Sequence, residues 1–125
     1  MPAARWVLGL GLALGIATGA VAHHPGSHAA KQRDGRVRLE VVATVTDTCT
    51  SIAQVRIGLP PGVAAAPSGT PVTARLRRQE GPCEEAPTAI RGIEALELDA
   101  SVGQLHLYVI APDGSLASTE RIPVR

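Results

Sequence analysis

Three observations predict an all-β protein, a small antiparallel β-sandwich of about six strands. First, apolar and polar residues alternate: Val37, Leu39, Val41, Ala43 and Val45 against Arg38, Glu40, Thr44 and Thr46. That is the period of a strand with one buried face. Second, Pro- and Gly-rich turns separate such runs at the spacing of sandwich strands. Third, nothing beyond the N-terminal segment carries a helical stripe of useful length.

Residues 1–22 read as an export signal. Arg5 gives the positive start, Trp6 to Ala17 is an almost unbroken apolar run, and Ala20-Val21-Ala22 is a small-x-small cleavage site. The run is too short for a permanent membrane span. Residues 23–35 (HHPGSHAAKQRDG) are polar and without periodicity, and read as a flexible His-containing leader. The β-sandwich domain is then 36–125. Its second strand runs near Ile52 to Leu59, with Val55, Ile57 and Leu59 inward, and Pro60-Pro61-Gly62 ends it. Val72, Ala74 and Leu76 alternate with Thr73, Arg75 and Arg77 in a third strand. A loop carrying Cys83 leads to a fourth, Ile90 to Leu98, where Gly92 suggests a bulge. Gln104 to Ile110 is the fifth. Ala111-Pro112-Asp113-Gly114-Ser115 has the chemistry of a hairpin turn, and Leu116 to Val124 returns as a sixth strand whose Pro123 suggests an edge.

Composition narrows the function. Removing the signal takes Lys+Arg from 12 to 11, level with Asp+Glu at 11. A neutral chain argues against nucleic acid, which is held by clustered cations, and gives no pull toward an anionic membrane. Phe is absent and Tyr108 is the single large ring of the mature chain, so ligands that stack on aromatic faces are disfavoured. Arg supplies every basic residue but Lys31, and Ala, Gly and Pro are abundant, a bias of GC-rich bacterial genomes. Cys49 and Cys83, an even pair in an exported chain, read as one disulfide at one end of the domain. The architecture resembles the immunoglobulin sandwich only broadly, because no Trp stands beside the disulfide.

Candidate chemistry is sparse. Cleavage after Ala22 leaves His23-His24-Pro25 first, with His28 close behind. A free α-amine beside an N-terminal imidazole can chelate Cu(II), and imidazole also suits zinc; Pro25 stops further amide chelation. An N-terminal His resembles the start of exported copper-binding β-sandwiches, the small copper-resistance carriers and copper-dependent polysaccharide oxygenases. The likeness covers that residue and the architecture, and the mature chain has no Met. His106 and Tyr108 share one strand face and offer an interaction surface. Glu80, Glu84 and Glu85 lack the spacing of a calcium loop. Arg75, Arg77 and Arg78 form a basic group expected to pair with Glu94 or Glu97. No nucleophile elbow, phosphate loop or carboxylate cleft is evident, so no catalysis and no cofactor is expected. The sequence therefore reads as an exported bacterial binding or accessory protein, periplasmic or secreted, that engages another extracytoplasmic protein through a sheet face or edge. Its alternative is copper or zinc capture at His23, His24 and His28.

Overall fold

A computed structural model describes residues 26–65 and 68–125. The expected signal, with His23 and His24, lies outside them. The described residues form seven strands and no helix: β1 His28–Lys31, β2 Val37–Val45, β3 Thr50–Ile57, β4 Thr70–Arg78, β5 Thr88–Leu96, β6 Gln104–Ile110 and β7 Leu116–Pro123. Among them, therefore, no helix is long and apolar enough to cross a membrane. One sheet has three strands in the order β1-β2-β5, the other four in the order β3-β4-β6-β7.

The alternation seen in the sequence builds the core. Val37, Leu39 and Val41 of β2 meet Val72 and Ala74 of β4, Leu105 and Leu107 of β6, and Ile122 of β7 in one buried cluster. Each fully buried Leu, Ile or Val stabilises the fold by about 1.5–3 kcal/mol against leaving it exposed. With no Phe and one Tyr, these branched aliphatics supply nearly all of that burial.

Four features differ from expectation. The leader is in part a strand: β1 pairs antiparallel with β2 from His28↔Glu40 to Lys31↔Val37. Ala29 is buried in the core, and a four-residue edge with one small inward side chain leaves almost no period to read. The carbonyl of Ala29 also accepts from the Arg125 amide at 3.0 Å, and Lys31 donates to the Arg125 carbonyl at 2.8 Å. Thus β1 ties the two sheets together along one side, beside the parallel bridge Ala29↔Val124.

The second difference is that β4 and β6 run parallel, from Thr70↔Leu105 to Arg75↔Ile110; every other strand pair is antiparallel. Parallel neighbours need a long crossover, and here the chain crosses to the other sheet as β5 before returning as β6. Third, β2 and β5 pair without interruption through Val41↔Gly92. The register shifts fall instead between Ile52 and Gln54 and between Val109 and Ile110. Fourth, Ile57 and Leu59 are 46% and 37% exposed. β3 is the edge of the wider sheet, with a strand on one side only.

Both cysteines behave as expected. Cys49 and Cys83 form a disulfide with Cα atoms 5.6 Å apart, joining the start of β3 to the loop between β4 and β5. The Ala111–Ser115 hairpin also holds: the Ala111 amide donates to the Ser115 carbonyl at 2.8 Å, and Gly114 takes a φ of 91°.

Candidate functional site

The outer face of the four-stranded sheet gathers most of the cations that form no ion pair among the described residues. Register sets its rows. Arg56, Thr73, Tyr108 and Thr119 lie side by side across β3, β4, β6 and β7; one step along lie Gln54, Arg75 and Ile110, and on the other side Pro71, His106 and Arg121. Arg77 follows Arg75 on the same face of β4, opposite Ser51. Arg56, Arg75, Arg77 and Arg121 form no ion pair among the described residues. The carboxylates borne by strands stand elsewhere. Glu40 and Glu94 belong to the three-stranded sheet, and Glu120 shares the inner side of β7 with its cross-strand partner Leu107. The described residues, in which Lys+Arg and Asp+Glu are equal in number, thus present a cationic sheet face on which the strands bear no acid.

Two arginines on this face frame a hollow of about 180 Å³ lined by Gln54, Arg56, Thr73 and Arg75 together with Ile57, Gly58, Leu59 and Pro60. The hollow exists because the chain leaving β3 doubles back. The Thr73 hydroxyl donates to the Gly58 carbonyl at 2.8 Å, the Gly58 amide donates to Pro71 at 2.8 Å, and Pro60 is buried. Gly58 sits at a φ of 129°, a bend that side chains with a Cβ rarely adopt. The Gln54 side-chain oxygen, in the amide orientation that pairs donors with acceptors, accepts from Arg56 Nε at 3.0 Å and Nη2 at 2.9 Å. Arg56 is thereby aimed, and its guanidinium still has donors to spare.

His106 and Tyr108 lie on this face as the alternation requires, and their rings stack at 4.6 Å. Tyr108 is only 3% exposed and Ile110 equally buried, while His106 is half-buried. Their rings form the floor of the face and the arginines form its surface, so Tyr108 presents no ring for a partner to touch. His106 Nδ1 is buried without a hydrogen-bond partner among the described residues.

The opposite sheet carries a different arrangement. Glu40 is nearly buried on its outer face, within 2.9 Å of Arg91 Nε, 3.1 Å of His28 Nε2 and 3.8 Å of Arg38 Nη1. His28 is thus anchored through one ring nitrogen. The expected pairing of Arg75, Arg77 or Arg78 with Glu94 or Glu97 is not formed. Arg78 reaches Asp47 at 3.4 Å, and Glu97 takes Arg36 at 3.3 Å. The reason is topological, since β4 and β5 belong to different sheets. Asp47 also accepts the Cys49 amide at 2.8 Å and the Thr50 hydroxyl at 3.0 Å. The Cys49 amide, then Thr50 and Arg78, hold its carboxyl below the ordinary value against the opposing effect of burial. Asp99 and Asp113 are likewise lowered, by the hydroxyl and amide of Ser101 and of Ser115.

Among the described residues, Asp47, Cys49 and Cys83 are the one group of three side chains placed to share a metal ion. Both sulfurs are committed to the disulfide, and thiolate is the ligating form. Glu84 is bound through its backbone to Thr48, whose hydroxyl accepts its amide at 3.1 Å. Arg75 and Arg77 are legible in the sequence as part of a basic group, and Arg56 and Arg121 are not. Their alternation was visible, whereas the strand order that brings them onto one face was not. Comparison with protein-family models, curated proteins and solved structures finds no match to this chain.

Proposed function

We propose that this is an exported bacterial accessory protein, periplasmic or secreted and non-enzymatic, that binds another extracytoplasmic protein through the outer face of its four-stranded sheet. One observation carries the reading: Arg56, Arg75, Arg77 and Arg121 share that face without a carboxylate partner. Arginine is enriched in protein interfaces, and a single-sign patch steers an oppositely charged partner. The disulfide fits an oxidising compartment. A photo-reactive residue in place of Arg77 or Arg121, in cells that make the protein, should capture one discrete protein. The same residue at Ile93, exposed on the other sheet, should not. Equal capture from both faces, or none from either, overturns the reading.

A second reading keeps copper or zinc. It is favoured by the His28–Glu40 contact, because a carboxylate on one ring nitrogen is the usual support for a histidine that ligates metal through the other. Chain processed after Ala22 would bind Cu(II) through His23, His24 and His28, and affinity would fall below about pH 6 as imidazole protonates. Equal Cu(II) binding by a version lacking residues 23–28 removes this reading.

A further inference from the structure

We propose that the hollow between Arg56 and Arg75 receives a glutamate side chain from an extended acidic segment of the partner protein, with further carboxylates at alternate positions running along β4 to Arg77. This rests on the reading of that face as the interface and names the chemistry it takes. Three features of the site select the occupant.

The first is charge. Arg56 is aimed by Gln54, Arg75 lies beside Gln54 in the cross-strand register, and neither has a carboxylate partner among the described residues. A carboxylate between two guanidiniums gains charge-assisted hydrogen bonds from both. The second is spacing. Arg75 and Arg77 are two residues apart on one strand, about 6.6 Å, which is also the repeat of same-side residues in an extended peptide. Carboxylates at every second position of such a segment therefore meet successive arginines. The third is the wall. Leu59 and Pro60 line the hollow beside the polar groups, and Leu59 is otherwise exposed. Aliphatic stems of long charged side chains pack on such surface while the head stays with its partner. Glutamate has that stem, and a bare sulfate or phosphate does not.

The test is fluorescence anisotropy of the processed, disulfide-bonded protein with a labelled decapeptide of alternating glutamate and threonine. Its counterpart has glutamine in place of glutamate, and an unlabelled sulfated oligosaccharide of equal charge serves as competitor. The glutamate peptide should bind, more weakly as salt rises, and the glutamine peptide should not. Arg56→Gln with Arg75→Gln should weaken binding by roughly tenfold or more, since each lost charged hydrogen bond is large on that scale. Arg77→Glu, at an exposed position, should weaken it with unchanged melting. Arg33→Gln with Arg36→Gln removes the same charge from the β1–β2 connection and should leave binding unchanged. Equal binding by the Arg56/Arg75 variant, or equal competition by the sulfated oligosaccharide, overturns the inference. If the peptide fails to bind while capture from Arg77 persists, the glutamate site falls and the interface reading stands. If capture fails as well, both fall.

Discussion

Ile52 packs across Gly92: a Cβ on Gly92 would lie 3.2 Å from Ile52 Cδ1 and 3.3 Å from its Cγ2. The two residues belong to β3 and β5, edge strands of opposite sheets. On the far side of the sandwich β1 ties the sheets through backbone hydrogen bonds; on this side an aliphatic side chain fills the space a missing Cβ leaves. Gly92→Val should therefore destabilise by about 1–3 kcal/mol, the range for overpacking. Ile52→Ala makes room, so the double variant should lose less than the two single losses added. Additive melting data would show that the contact does not close this side.

The Cys49–Cys83 bridge closes a loop with a sequence separation of 34. Constraining the unfolded chain to that extent is worth roughly 3–4 kcal/mol on the loop-entropy model. In a domain of this size reduction should lower Tm by about ten degrees or more, read by calorimetry with and without reductant. An unchanged Tm would mean that backbone hydrogen bonds around Thr48 and Gln79 already hold this end.

The core was legible in the sequence because period two is a local property. Val37, Leu39, Val41, Val72, Ala74, Leu105, Leu107 and Val109 alternate, and all are buried. Legibility failed where a residue's role depends on what lies above it. Ile57 alternates as correctly as Val55 but ends an edge strand and is left exposed. Gly92 reads as a flaw in a strand until Ile52 is placed over it. The parallel β4–β6 pair and the face that joins Arg56 to Arg121 follow from strand order, which no local pattern encodes. His106 and Tyr108 were placed on the right face, yet their burial comes from neighbouring strands and the returning segment after β3.

Asp47 should make the protein acid-sensitive. Its carboxyl is held below the ordinary value in the folded chain, chiefly by the Cys49 amide, so the unfolded chain takes up the proton first. The stabilisation is complete above the unfolded value of about 4 and is lost as pH falls through the lower folded value. Asp47→Asn should lower Tm at pH 7, and the gap to the unaltered protein should close on acidification toward pH 2. Asp99 and Asp113 titrate identically in both proteins, so the difference between the two melting curves isolates Asp47. A gap independent of pH would assign the loss to packing.

Thr73 links the fold to the hollow. Its hydroxyl, nearly buried, donates to the Gly58 carbonyl at 2.8 Å and holds the segment that carries Leu59 and Pro60 over the outer face. Thr73→Val keeps the shape and the β-branched strand preference but removes the donor, leaving a carbonyl short of its partner. The expected cost is about 1 kcal/mol, rising toward 3 if no water reaches the carbonyl. The local effect should exceed the global one, because the hydrogen bond fixes one connection and leaves the core untouched. Amide exchange should quicken at Gly58 and Leu59 while Leu105 and Leu107 keep their protection. Binding of the glutamate peptide should weaken alongside, because the aliphatic wall of the hollow loses its anchor. Uniformly faster exchange across β6 would instead place Thr73 in the cooperative core and remove its role in shaping the site.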